Sequence, residues 1–93
     1  MEDLGPTGPL DPVRSAMRAR LARAHGHLHG VLDMIDNGRS DADILHQVTA
    51  VRAALTKATS ILLDDLMARA QEAPPGAHRA AIDQLRAAVH TLA

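Results

Sequence analysis

The chain has 93 residues, with 10 Lys and Arg against 11 Asp and Glu, and it contains no Cys, Phe, Trp or Tyr. This length allows one domain, and the absence of Cys excludes disulfide bonds and thiolate metal sites. Without aromatic side chains the core must come from Ala, Leu, Val, Ile and Met, so we expect subunits that share a core in a homo-oligomer. No apolar run could span a membrane and no signal peptide is evident, so we expect a cytoplasmic protein with no membrane partner.

The beginning of the chain differs in composition from the rest. Residues 1–10 contain two Gly and two Pro without an apolar period, which predicts a flexible N-terminal arm. Residues 11–93 are predicted to form a single all-α domain, because they show no strand signal and no internal repeat. Its three helices are expected at about residues 12–36, 41–72 and 77–92.

Capping residues and apolar spacing support these three helices. Asp11 and Pro12 are an N-cap followed by Pro at the first helical position, and Ser40 is an N-cap for the second helix. Gly38 permits the turn that ends the first helix. The apolar residues recur by fours and threes, as in an amphipathic helix: Val13, Met17, Leu21, Ala24, Leu28, Val31 or Leu32 and Ile35, then Ile44, Val48, Val51, Leu55, Ala58, Leu62 and Leu66, then Ile82, Leu85, Val89 and Leu92. Two long helices and a short one predict a bundle that a second subunit completes.

Basic residues are concentrated in the first helix. Residues 13–32 contain no acidic residue. At about 100° per residue, one flank of the apolar stripe carries Arg20, Arg23 and His27, and the other carries Arg14, Arg18, His25 and His29. The second helix adds Arg52 and Lys57 on opposite edges of its own stripe. In a symmetric oligomer such strips could contact several phosphates, although an ordinary solvated face explains the charges equally well.

Glycine and histidine pairs in the first helix suggest two further features. Gly26 and Gly30 each cost about 0.8–1 kcal/mol relative to Ala inside a helix, so their spacing predicts a close approach by another helix or by a phosphate backbone. Close helix packing is the simpler of these two explanations. His25 and His29 are four residues apart and could bind one metal ion, with His46 as a further candidate ligand. Surface polar residues are the favoured alternative to a metal site.

Several short motifs follow one another between residues 20 and 70. They are Arg20-Leu21 with Arg23, Gly26 and Gly30, then Met34-Ile35, then Asp43-Ile44-Leu45 with Gln47, then Ala50-Val51-Arg52-Ala53-Ala54-Leu55. In this order and spacing they resemble the core of the CsoR/RcnR family of bacterial repressors. The resemblance implies a three-helix protomer whose first two helices form an antiparallel four-helix bundle with a second protomer. It also implies that two such dimers pair into a homotetramer.

The resemblance also implies a function in transcription regulation. Members of this family bind double-stranded operator DNA through basic residues of the first two helices and release it when an inducer is sensed. The matching positions of this chain are Arg20, Arg23 and Arg52, followed by Lys57 and Arg18. These five residues are therefore the predicted DNA-binding residues.

The sensor positions of the family are not matched. The resemblance implies a sensor Cys at the position of Asp41, and further metal ligands at the positions of Leu66 and Ala70. Since soft Cu(I) prefers sulfur ligands, we expect neither Cu(I) nor thiol sensing. Asp41 could still ligate a metal, so it joins the His candidates for a divalent Ni, Co or Zn ion. A small-molecule inducer is the alternative, and these positions do not identify it.

Other functions compete with an inducible repressor. The chain could be a DNA binder without a sensor, a subunit that pairs with a ligand-complete relative, or a plain helical oligomerisation module. Helical chorismate mutases have a similar size, and residues 31–36 are similar to part of their first helix. Their catalysis needs cations that converge on a dianion, whereas the stripe between the Arg residues here is apolar. We therefore expect that the chain is not an enzyme.

Overall fold

The computed structural model of this protein describes residues 11–92. It contains three α-helices, α1 (Pro12–Asp36), α2 (Asp41–Glu72) and α3 (His78–Leu92), and the predicted all-α fold class is confirmed. Within the described part of the chain, α2 packs against both other helices, whereas α1 and α3 do not pack on each other. No described helix is long and apolar enough to cross a membrane. The predicted N-terminal arm, residues 1–10, lies outside the described residues.

Side-chain caps set the starts of the two long helices. The Arg14 N–H donates to Asp11 Oδ1 at 2.8 Å, with Pro12 in the first turn. The Asp43 N–H donates to Ser40 Oγ at 3.2 Å. Each bond satisfies one of the N–H groups that the first turn of a helix leaves without a backbone partner.

A tight loop reverses the chain between α1 and α2. Gly38 has a φ of 70°, a conformation in which a residue without a Cβ is not strained. Its N–H donates to the Ile35 carbonyl at 3.1 Å, and the Arg39 N–H donates to the Met34 carbonyl at 3.0 Å. These two bonds form a Schellman motif. The short connection makes α2 run back antiparallel along α1.

The third helix begins one residue later than the sequence predicts. Ala77 provides only its carbonyl, which accepts the Ala81 N–H at 3.1 Å, so the first helical residue is His78. The Ala77 N–H itself donates to the Pro74 carbonyl at 2.8 Å, in the turn that follows α2. This turn folds α3 back onto the C-terminal half of α2.

The core of one protomer is small. The buried apolar residues of the described chain are Ala24, Val31, Val51, Ala58 and Ala70. The predicted stripes are only half right, because many of their larger members remain on the surface. The stripe members exposed between 38% and 53% are Leu21, Leu28, Leu32, Ile35, Val48, Leu55, Val89 and Leu92. Leu45 and Met67, which lie outside the predicted stripes, are exposed as well. Each stripe is wider than a single neighbouring helix can cover, so α1 and α2 bury one edge in each other and leave the other edge exposed.

Candidate nucleic-acid interface

One side-chain hydrogen bond connects α1 and α2 in the described chain. His27 Nε2 lies 2.5 Å from Gln47 Oε1, and both side chains are half-buried. His27 comes three residues after buried Ala24, and Gln47 comes four residues before buried Val51. The bond therefore identifies which side of α1 adjoins which side of α2.

The two sides of the α1–α2 hairpin follow from spacing around the buried residues Ala24 and Val51. Residues three after or four before a buried position lie on one side of a helix, and residues four after or three before lie on the other. The first set is Arg20, His27, Gln47 and Ala54. The second set is Leu21, Leu28, Val48 and Leu55. One side of the hairpin is therefore polar and basic, and the other is apolar.

A surface depression of about 120 Å³ lies on the polar side. It is lined by Arg20, Arg23, Ala24 and His27 of α1 and by Ala54 of α2. Arg20 is half-buried and Arg23 is exposed, and neither forms an ion pair with another residue between 11 and 92. The depression is thus concave, open to solvent and positively charged, which suits an anion.

Lys57 lies on the same side of the hairpin. It follows Ala54 by three residues, or about one helical turn, and it is exposed without an acidic partner in the described chain. We call this side the basic face. It consists of Arg20, Arg23, His27, Gln47, Ala54 and Lys57.

Arg18 and Arg52 lie away from the basic face. Arg52 follows buried Val51 by one residue, which turns it about 100° toward the side that is opposite to Gln47. The same spacing argument turns Arg18 toward the side of α1 that carries Leu21. The structure therefore brings the other predicted DNA-binding residues together and separates these two from them.

The second side of the hairpin is mostly hydrocarbon. We call it the apolar face, and it consists of Leu21, Leu28 and Leu32 of α1 with Leu45, Val48 and Leu55 of α2. All six are exposed in the single chain, and Leu45 is exposed by 65%. A contiguous exposed apolar surface of this kind is typical of a protein–protein contact.

The candidate metal ligands do not converge in one protomer. His25, His29, His46 and Asp41 are all exposed, and no three His, Asp or Glu residues of the described chain are close enough to hold a metal ion. His29 lies 3.9 Å from Asp33 on its own helix. The sensor positions that the family resemblance implies are also far apart in one protomer. Asp41 begins α2 and lies about 38 Å from Leu66 along the helix axis. We therefore assign none of these residues as a metal ligand.

The two helical glycines have open space around them. A Cβ built on Gly26 or Gly30 would meet nothing within 4 Å, so the predicted close packing of a helix does not occur within the described chain. Helical spacing places both glycines beside Arg23, on the outer edge of the basic face. The alternative explanation, approach by a phosphate backbone, is compatible with this position.

The sequence alone did not reveal the His27–Gln47 bond. His27 and Gln47 are each a polar residue beside an apolar stripe, and nothing in either helix indicates a hydrogen-bond partner 20 residues away. The one sequence feature that could have predicted the contact was the tight loop at Gly38. An antiparallel hairpin brings residues at similar distances from its loop opposite each other, and this would have placed the two side chains near one another.

Comparisons with known proteins identify the family and the fold of the chain. The family model for the metal-sensitive transcriptional repressor matches residues 13–91. The chain is 33% identical over 81 residues to the copper-sensing transcriptional repressor CsoR of Mycobacterium ulcerans (strain Agy99). This match covers 85% of the present chain and 68% of that protein. It is 41% identical over 46 residues to the copper-sensing transcriptional repressor CsoR of Bacillus subtilis (strain 168), which covers 50% of this chain and 46% of that protein. The structure of the nickel-responsive transcriptional regulator InrS is similar, with a TM-score of 0.76 and 28% identity over 95% of this chain and 100% of that chain.

Proposed function

The chain belongs to the CsoR/RcnR family of metal-sensitive transcriptional repressors, and from this premise we propose that it represses transcription by binding operator DNA through the basic face. The members of this family are repressors and not enzymes, so the prediction that the chain is not an enzyme is confirmed. The observation that carries the proposal is the depression between Arg20 and Arg23, with Lys57 on the same side. Arg20, Arg23 and Lys57 are three cations that form no ion pair with an acidic residue in the described chain.

Phosphate contacts explain why such a surface would bind DNA despite the neutral charge of the whole chain. Affinity depends on the local cations that replace counterions on the phosphates, and each such contact makes binding more sensitive to salt. Arginine is well suited to phosphate because its guanidinium group can donate two parallel hydrogen bonds. The nearest acidic residue on the same side of α2 is Asp43, four residues before Gln47. Its carboxylate is already engaged, because Arg39 Nη2 donates to Asp43 Oδ2 at 3.1 Å.

A second copy of this chain is the proposed partner of the apolar face. A protomer with so small a buried core is marginally stable alone, and covering Leu28, Val48 and Leu55 would remove hydrocarbon from water at about 25 cal/mol per Å². The family resemblance implies the same arrangement, in which α1 and α2 of two protomers form a four-helix bundle. A homodimer, or a tetramer of two dimers, repeats the basic face and so increases the number of phosphates that are contacted at once.

Arg18 and Arg52 fit this assembly as residues near the subunit contact rather than as the main phosphate ligands. Both were predicted to bind DNA, and both lie on the side of the hairpin that carries the apolar face. We therefore propose that they contribute little to DNA binding, and their substitution serves as a control for that of Arg20 and Arg23.

A mobility-shift titration with the DNA upstream of the protein's own operon tests the proposal. Binding should be specific relative to a shuffled sequence and should weaken steeply with salt, by about 10³-fold or more between 50 and 200 mM if six or more phosphates are contacted. Equal affinity for both sequences would leave a non-specific DNA binder, and no binding even at low salt would leave an oligomerisation module as the remaining function. Addition of Ni(II), Co(II) or Zn(II) then shows whether a divalent metal releases the DNA.

Cu(I) is not the proposed inducer, although two relatives are described as copper sensors. The chain has no Cys, and the family's later ligand positions hold Leu66 and buried Ala70. We expect a competition titration against a Cu(I) chelator to show binding no tighter than that of an unstructured peptide containing two His residues. Stoichiometric binding that survives a chelator excess would contradict the prediction.

Gly26→Ala should stabilise the protein and weaken its binding to DNA. The new methyl group meets nothing within 4 Å, so the free energy of unfolding should rise by roughly 0.8–1 kcal/mol, measured by urea denaturation of the free protein. At the edge of the basic face the same methyl group would hold a phosphate backbone away, which should lower DNA affinity. Arg39→Lys, on the loop, is the control and should change neither quantity. A stabilised variant with unchanged DNA affinity would show that DNA does not approach Gly26.

A further inference from the structure

The bond between His27 and Gln47 restricts which atom of the imidazole can respond to protons. With Gln47 Oε1 as the acceptor, His27 Nε2–H is the donor across the 2.5 Å contact. A neutral imidazole has one N–H, so Nδ1 is then a bare acceptor. Taking up a proton from solvent converts Nδ1 to a donor and gives the ring a positive charge, while the bond to Gln47 stays in place.

We propose that His27 is a proton-dependent phosphate ligand in the depression formed with Arg20 and Arg23, so that DNA binding strengthens as the pH falls. This inference rests on the proposed function and concerns the same face. A neutral Nδ1 directs a lone pair toward any phosphate oxygen beside it, which is repulsive. A protonated Nδ1–H instead donates a charge-assisted hydrogen bond to that oxygen. Histidine side chains change charge between about pH 5 and 8, within the range that cells reach.

The groups around His27 determine the direction of this response. From α1 it faces Arg20 and Arg23, which line the same depression. From α2 it faces Gln47 and Ala54, which do not titrate, and α3 does not pack on α1 in the described chain. The nearest acidic residue on α2 is Asp43, one turn before Gln47, and its carboxylate accepts a hydrogen bond from Arg39. A phosphate bound between Arg20 and Arg23 would therefore lie beside His27.

Proton binding and phosphate binding should therefore strengthen each other. Lowering the pH from 8 to 6 at constant salt should tighten DNA binding by the native protein by at least about tenfold, the usual effect of one hydrogen bond to a charged group. His27→Gln keeps an amide that can bond to Gln47 but cannot titrate. It should bind DNA like the native protein at pH 8 and lose most of the gain at pH 6.

The other histidines provide the matched controls. His25→Gln and His29→Gln remove exposed imidazoles from the same helix, outside the basic face, and both variants should keep the full tenfold response. A response that persists in His27→Gln, or that disappears in His29→Gln, would overturn the proposal. A native protein whose DNA affinity is the same at both pH values would overturn it as well.

A measurement without DNA separates this inference from the proposed function. We would follow the ring nitrogens of His27 by NMR through a pH titration, with and without inorganic phosphate. Phosphate should move the titration of His27 to higher pH in the native protein, and Arg20→Ala/Arg23→Ala should abolish the movement. If phosphate acts in this way but operator DNA does not bind, the anion site stands and the repressor proposal fails. If DNA binds but phosphate leaves His27 unchanged, the repressor proposal stands and this inference fails.

Discussion

Val48→Asp should separate the oligomer into protomers and unfold most of them. Val48 is 42% exposed in the single chain and lies in the apolar face, where a second copy is proposed to pack. A carboxylate there would be removed from water without a partner, which costs several kcal/mol per protomer. Since one protomer buries only small residues in its core, it has little stability to lose. Sedimentation equilibrium and circular dichroism should show loss of mass and of helix together.

The neighbouring residue provides the control for this substitution. Thr49 is also β-branched and is exposed, but it faces away from α1, and its Oγ1 donates only to the Leu45 carbonyl at 2.9 Å. Thr49→Asp introduces the same charge one residue away and should preserve both mass and helix content. A Val48→Asp protein that remains a folded oligomer would show that the apolar face is not the contact between subunits.

Arg20→Ala/Arg23→Ala should reduce affinity for operator DNA by roughly 100-fold or more at moderate salt. Both guanidinium groups line the depression, and losing two hydrogen bonds to charged groups removes about 1.5–3 kcal/mol for each bond. The plot of log affinity against log salt should also become less steep, by about 0.9 for each lost phosphate contact. The assay is the same mobility-shift titration, repeated over a salt series.

The control for this pair removes the same charge from the other side of the hairpin. Arg18→Ala/Arg52→Ala changes the net charge equally but leaves the basic face intact, so its affinity and salt slope should stay close to native values. Sedimentation equilibrium has to show that both variants retain the native oligomer, because Arg18 and Arg52 lie near the proposed subunit contact. If the control loses as much affinity as Arg20→Ala/Arg23→Ala, DNA binding does not depend on the basic face in particular.

The apolar stripes show how the residues buried in the structure differ from those that the sequence pattern predicts. Spacing by fours and threes correctly predicted amphipathic helices, because the helical period is a local property of the backbone. It listed Leu21 and Leu28 in one stripe with Ala24 and Val31, whereas the structure buries only Ala24 and Val31 of these four. A stripe that serves two contacts has no single centre, and residue types alone do not divide it between them.

The basic residues show the same limit. Helical geometry placed Arg20, Arg23 and His27 on one flank, and the structure agrees. The relation of this flank to Lys57 and Arg52 on α2 needed the pairing of the two helices. The His27–Gln47 bond and the shared depression supply that pairing. They separate Arg52 from the other DNA-binding residues that the family resemblance had implied.

The sequence by itself determined the three helices, their caps and the family, because caps, helical period and motif order are encoded over a few neighbouring residues. It also excluded thiolate chemistry, since no Cys is present. Only the tertiary structure decided which edge of each stripe is buried, which cations share a face, and that the candidate metal ligands do not meet within one protomer. These properties depend on the register and rotation of α1 against α2, which the packing of Ala24 and Val51 in the hairpin determines. No local pattern in either helix specifies them.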